Sequence, residues 1–163
     1  VTESFPIEVL APHHVREKFC SGVEPLDRYF HQVVTQDVRR RASSCYVAID
    51  PETGRVAGYY TLSAGGVPLT DLPQALARKL PRYPYVPVAR LGRLAVDLGY
   101  RGRQLGAALL WDGALRATRS EVSVFALLVD AKDVQAEAFY LHHGFSNLHG
   151  KTRQLVLPLA NIA

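Results

Sequence analysis

The sequence predicts an α/β (α+β) fold in which a mixed central sheet is flanked by helices. Three observations carry this. Two short apolar strand patterns in the first half are separated only by a turn cluster, as in a hairpin. A strand–loop–helix succession occupies residues 88–119, and a nearly all-apolar segment, Phe125 to Val129, reads as a buried central strand. At 163 residues, with 48% hydrophobic and 21% charged residues, the chain has the length and composition of a single globular domain, 1–163.

The elements follow in order. Ile7-Glu8-Val9 reads as a short strand. Pro25 opens a helix to about Arg40, with Leu26, Tyr29, Phe30, Val33, Val34 and Val38 at spacings of three and four on one apolar face. Cys45 to Ile49 and Val56 to Ser63 are strands around the turn cluster Asp50-Pro51-Glu52-Thr53-Gly54. Asp71 is placed to cap a helix to about Leu80. Pro81-Arg82-Tyr83-Pro84-Tyr85-Val86-Pro87 carries three prolines in seven residues, which predicts a stiff loop and no regular element. Val88 to Val96 is a strand, Leu105 to Arg119 a helix, and Asp133 to His142 a short helix that Gly144 ends. Gln154 to Leu159 closes the chain as a strand. Cys20 and Cys45 sit beside apolar residues and at no metal-ligand spacing, so they read as reduced, mostly buried thiols and no metal is expected. No apolar run approaches the ~20 residues of a membrane-spanning helix, and a cytoplasmic protein is expected.

The net charge of +4 is unevenly placed. Between Arg78 and Arg103 lie seven basic residues (Arg78, Lys79, Arg82, Arg90, Arg93, Arg101, Arg103) against one acid, Asp97, so this stretch carries +6 and the remainder −2. A local excess of this kind points to a polyanionic ligand. Arginine makes up 15 of the 19 basic residues, which suits forked phosphate contacts, and Tyr83 and Tyr85 among them suit stacking on unpaired bases. The same residue types also suit a protein interface.

The segment with the most chemistry is Leu94-Ala95-Val96, then Arg101-Gly102-Arg103-Gln104-Leu105-Gly106, then the helix. A helix N-terminus presents unpaired N–H groups and partial positive charge to an anion, glycine lets backbone approach it, and arginines add charge. The loop resembles the acetyl-CoA loop of the GNAT acetyltransferases, Arg/Gln-x-x-Gly-x-Gly/Ala, with Arg101 first, Gly106 last and Gln104 where the middle glycine is usual. A left-handed backbone at that position would favour glycine over Gln104. Ala138-Phe139-Tyr140-Leu141-His142-His143-Gly144-Phe145 is similar to the GNAT signature after the central strand.

The resemblance implies that Tyr140 lies near the thioester sulfur as general acid, with Phe139 beside the cofactor. A phenol of ordinary pKa ~10 protonates an alkyl thiolate of ~8.5 with little mismatch. Backbone N–H groups at Leu94–Val96 are the candidate oxyanion donors. His142 and His143, next to Gly144, favour a helix C-terminus and offer no convincing general base.

Further blocks resemble the GNAT toxins of type II toxin–antitoxin systems (the AtaT/TacT-like group): Phe19-Cys20-Ser21-Gly22, Leu26-Asp27-Arg28-Tyr29-Phe30, Gly58-Tyr59-Tyr60-Thr61-Leu62-Ser63-Ala64, Pro81-Arg82-Tyr83-Pro84 and Leu91-Gly92-Arg93-Leu94-Ala95-Val96-Asp97. This implies a GNAT fold, acetyl-CoA as co-substrate, N-acetylation of aminoacyl-tRNA with arrest of translation, a ribbon-helix-helix antitoxin and a homodimer. Arg101 and Arg103 would then serve the CoA pyrophosphate, and Arg78, Lys79, Arg82, Arg90 and Arg93 the tRNA. Two alternatives stay open at this stage: a GNAT enzyme for a small or protein amine, and a non-catalytic binding module of the same fold.

Overall fold

The computed structural model describes residues 4–162. Seven strands hydrogen-bond in the order β1-β2-β3-β4-β5-β7-β6, where β1 is Ile7–Val9, β2 Ser44–Ile49, β3 Val56–Pro68, β4 Tyr85–Val96, β5 Ala126–Asp130, β6 Ser146–Asn147 and β7 Gln154–Pro158. The pairs β1/β2, β2/β3, β5/β7 and β6/β7 are antiparallel and β4/β5 is parallel, so the sheet is mixed as the sequence predicts. The described residues form two compact units, 4–63 with 92–113 and 64–91 with 114–162.

In the first unit the N-terminal helix is α1 (Glu24–Arg28), a π turn over Tyr29–Val33, and α2 (Val34–Arg39). Tyr29, Phe30 and Val34 are buried, but Val33 is 37% exposed. The widened turn adds a residue and moves Val33 off the stripe that a uniform period of 3.6 assigns to it. The inward face meets the sheet through aromatic rings: Phe30 stacks on Tyr59 at 4.3 Å, and Phe19 approaches Phe30 and Tyr59 edge-on at 5.0 and 5.5 Å. Cys45 is buried in this cluster, and burial pushes its thiol up to about 12, so it is inert. Cys20 is exposed, contrary to the expectation of burial. Its neighbour Phe19 takes the core position.

The start of α4 (Leu105–Thr118) is seated on β3 at Gly58. A Cβ there would lie 2.8 Å from Leu109 Cδ1, 3.0 Å from the Ala95 carbonyl oxygen and 3.5 Å from Leu105 Cδ2. The absent side chain is what lets the helix lie this close to the strand.

The second unit packs Val67, Leu72, Val86, Val88, Ala126, Leu128, Leu148 and Val156 into its own core. Two sequence expectations are corrected here. Asp71 does not cap a helix to Leu80: it ends a 3₁₀ turn, Leu69–Asp71, and its carbonyl accepts the His149 N–H at 2.8 Å. Pro73 forces Leu72 into extended backbone (φ −73°, ψ 148°), so α3 is only Gln74–Ala77, followed by three-residue turns to Leu80. The proline-rich segment is not wholly irregular, since β4 begins at Tyr85 and includes Pro87. Pro87 stands just before the parallel ladder with β5, where its carbonyl accepts the Phe125 N–H at 2.9 Å and no donor is required of it.

Gly58→Ala will push on Leu109 and on the Ala95 carbonyl together. We expect a loss of about 1–3 kcal/mol, read as a lower urea midpoint at unchanged m-value.

Candidate active site

In the first unit, β4 ends in Leu94-Ala95-Val96, and Asp97 follows as the cap of a 3₁₀ turn, Leu98–Tyr100, accepting the Gly99 N–H at 2.9 Å. The chain then crosses Arg101 to Gln104, all exposed, and enters α4 at Leu105. Gly102 has φ +79° and Gln104 φ +60°. The position where the acetyl-CoA loop pattern has glycine is therefore left-handed here, and Gln104 occupies it at a cost of about 1 kcal/mol. The first α4 bond runs from Ala108 N–H to the Gln104 carbonyl at 3.1 Å, leaving the N–H groups of Leu105, Gly106 and Ala107 without intrahelical acceptors. A Cβ on Gly102 would meet nothing within 4 Å, so the loop surface is open to a ligand. These residues fit a pyrophosphate through backbone donors and the helix dipole.

Of the two loop arginines, Arg101 donates to the Ser21 carbonyl at 2.9 Å. The Arg103 guanidinium lies 5.3 Å from the centre of the Tyr100 ring, whose hydroxyl donates to Asp50. Ala95 is buried, with Leu94 and Val96 half-buried beside it.

In the second unit, α5 (Val134–His142) starts at Asp133, whose carboxylate accepts the Ala136 N–H at 2.8 Å. It ends at Gly144 (φ +93°), with Phe145 N–H reaching back to the Tyr140 carbonyl at 3.1 Å. Tyr140 is buried between Phe139 and Phe145, at ring distances of 5.3 and 5.4 Å. Burial, aided by the Asp130 charge, pushes its phenol up to about 12, above the ordinary value assumed from sequence. Among the described residues its hydroxyl has no hydrogen-bond partner and no buried polar side-chain atom lacks one, so the ring is buried while the hydroxyl reaches solvent and is free to donate. Phe139 is half-buried and meets His143 edge-on at 4.7 Å. Burial, then the His142 charge, holds His143 below the usual imidazole range.

The basic residues separate by surroundings. Arg78, Lys79 and Arg82 are exposed and have no ion-pair partner among the described residues. They stand with Tyr83 and Tyr85, 68% and 65% exposed. Arg90 belongs to the same unit but is paired with Asp130 at 2.7 Å, and Gln154 holds the other oxygen of that carboxylate. Arg93 lies in the first unit, half-buried, with its guanidinium 3.5 Å over the Tyr29 ring.

One His/carboxylate group has the proximity of a metal set: Glu8, His13 and His14. His14 Nδ1 accepts the Ala11 N–H at 2.8 Å, so Nε2 carries the proton that it donates to Glu8 at 2.6 Å. Metal on Nε2 would put a proton on Nδ1 against Ala11 N–H, so the group fits a hydrogen-bonded pair better than a metal.

Residues 10–145 match the acetyltransferase (GNAT) family. The chain belongs to the GNAT acetyltransferase family. This GNAT chain is 37% identical over 129 residues to a tRNA-acetylating toxin of Mycobacterium tuberculosis, covering 78% of this chain and 75% of that protein. Among solved structures it is similar to a tyrosine-to-phenylalanine mutant of KacT (TM-score 0.90, 27% identity, 98% of each chain). It is also similar to AtaT complexed with acetyl-methionyl-tRNAfMet (TM-score 0.89, 28% identity, 98% of this chain and 97% of that one).

Sequence reasoning on the GNAT motifs passed over Asp97, a buried carboxylate that accepts backbone N–H groups from Cys20 and Gly99, both at 2.9 Å. Its signal is an acid placed directly after an apolar strand, where it can cap the next turn.

The strain at Gln104 predicts a graded response. Gln104→Gly should stabilise the chain by less than about 1 kcal/mol, because relief of the left-handed backbone is offset by unfolded-chain entropy. Gln104→Val should cost about 1–2 kcal/mol, and thermal denaturation of the two variants checks both.

Proposed function

We propose that this chain is an acetyl-CoA-dependent N-acetyltransferase that acetylates the α-amino group of aminoacyl-tRNA. On this reading it is a cytoplasmic toxin that blocks translation, working as a single catalytic domain. The similarity to the tRNA-acetylating toxin, at 37% identity over 78% of the chain, carries this reading. The likeness to AtaT complexed with acetyl-methionyl-tRNAfMet and to AtaTR bound with AcCoA supports it. A structure of a mutant AtaT bound to the C-terminus of the antitoxin AtaR supports an antitoxin as partner. We assign that partner to the ribbon-helix-helix class and take the active species to be a homodimer.

The residues divide the work as follows. The Arg101–Gly106 loop and the start of α4 hold the pyrophosphate through backbone N–H groups, with Arg103 adding charge, and Phe139 packs beside the cofactor. Leu94–Val96 supply N–H donors to the acetyl oxygen as it gains negative charge. The neutral α-amine attacks the acetyl carbon, the N–C bond forms, the C–S bond breaks, and the amine loses its surplus proton to water. The Tyr140 O–H donates a hydrogen bond to the departing thiolate, which takes its proton from solvent. A phenol near 12 is a weaker acid than a free one. It therefore stabilises the thiolate chiefly as a hydrogen-bond donor, which a hydroxyl with no protein partner on a fixed, buried ring does well. An α-amine of ordinary pKa ~8 needs little help in losing its proton near neutrality, so no strong general base is required. Arg78, Lys79 and Arg82 with Tyr83 and Tyr85 form the exposed part of the tRNA surface. Arg90 and Arg93 contribute from positions fixed by Asp130 and Tyr29.

Radiolabelled acetyl-CoA incubated with charged and deacylated tRNA tests the whole reading. Label should enter charged tRNA only, and label in a polyamine or protein instead sinks it. Tyr140→Phe should keep the fold and acetyl-CoA binding while lowering turnover about 100-fold or more. Because burial raises the Tyr140 phenol to about 12, it keeps its proton throughout this range, and the rate should rise through the amine's titration near pH ~8 and then stay flat to about pH 9.5. A fall in that range that Tyr140→Phe abolishes would contradict the assigned role. Charge reversal at Arg78, Lys79 and Arg82 should raise KM for tRNA by about tenfold or more and flatten its salt dependence, leaving KM for acetyl-CoA unchanged.

A further inference from the structure

We infer that Asp97 is the positioning residue of the acetyl-CoA loop, and that the segment Phe19–Gly22 with Asp27 exists to hold it there. The inference rests on the acetyltransferase reading and adds a role that neither motif explains alone. The Asp97 carboxylate is buried and joins two remote pieces of chain, accepting N–H groups from Cys20 and Gly99, each at 2.9 Å. The backbone repeats the join: Leu98 N–H donates to the Cys20 carbonyl at 2.9 Å, and Asp97 N–H donates to the Ala57 carbonyl at 2.8 Å. Four residues after Asp97, Arg101 closes the turn onto the same segment by donating to the Ser21 carbonyl at 2.9 Å.

The anchor is itself anchored. Asp27 accepts from Ser21 twice, the N–H at 2.9 Å and the hydroxyl at 2.7 Å, and Val23 N–H reaches the Ser21 oxygen at 3.1 Å. Gly22 has φ +85°, and a Cβ there would come to 3.3 Å from Leu98. The loop beyond needs such an anchor, because its path runs through two left-handed residues, Gly102 and Gln104, and the second gains nothing from that conformation. A cradle of backbone donors binds an anion well only if its geometry is set before the anion arrives. Arg101 is thus a strut for the loop, and its contribution to cofactor binding passes through Ser21.

Asp97→Asn keeps the shape but turns one oxygen into a donor facing a backbone N–H, and it also ends the ion pair that the carboxylate makes with Arg55 at 3.7 Å. Titration calorimetry with acetyl-CoA should show affinity weakened at least tenfold, with KM for aminoacyl-tRNA within twofold of the parent. A variant that loses thermal stability yet binds acetyl-CoA as the parent does makes Asp97 merely structural and overturns the inference. If Asp97→Asn does not fold, Arg101→Met decides. Weaker binding with an unchanged salt dependence supports the strut, and a shallower salt dependence means direct contact with the pyrophosphate and overturns it. A parent protein that binds no acetyl-CoA overturns the acetyltransferase reading and the clamp with it, a result distinct from a variant that binds normally.

Discussion

What the anion loop can do depends on where α4 begins, and that is set by a missing side chain. Gly58 lets Leu105 and Leu109 lie against β3, close to the Ala95 carbonyl, so the helix N-terminus and the end of β4 share one contact. The dipole effect of a helix acts only within its first turn. A small shift of α4 would therefore move its free N–H groups out of reach of a fixed phosphate. On the proposed reading, the demand of the anion site is thus met in the packing layer beneath the loop, by a residue with no chemistry of its own.

Most of the fold was legible because its signals are local. The apolar stripe from Leu26 to Val38, the hairpin around Asp50–Gly54, the strand–loop–helix at 88–118 and the Gly144 stop all follow from periodicity and turn chemistry. The misreadings arose where a neighbour overrode the local pattern. Pro73 displaced the helix start expected at Asp71, Pro87 entered a strand because only its carbonyl was needed, and a π turn expelled Val33. The candidate site rests on motifs that the sequence displays, whereas the contacts that support those segments were not legible. Nothing in sequence spacing says that Asp97 meets Cys20 or that Arg93 stacks on Tyr29, since those pairs are 77 and 64 positions apart and only the folded sheet joins them.

Tyr140 shows the tension between stability and chemistry in one residue. The aromatic packing that fixes its ring also removes much of the water around it and raises its pKa, which makes full proton release harder. The same dry surroundings strengthen any hydrogen bond it gives to a forming anion. Burial therefore shifts the expected role from proton source toward electrostatic stabiliser, a change the residue type alone does not disclose.

The Arg90–Asp130 pair alters how the basic stretch should be counted. Its formal charge suggests a strong polyelectrolyte, yet Arg90 is already neutralised by a carboxylate and Arg93 is committed to the Tyr29 face. A nucleic acid arriving at Arg78, Lys79 and Arg82 would release about three condensed counterions, not five. Long-range attraction from this stretch is correspondingly modest. Discrimination between nucleic acids then falls more to short-range contacts, where the exposed Tyr83 and Tyr85 are placed to act.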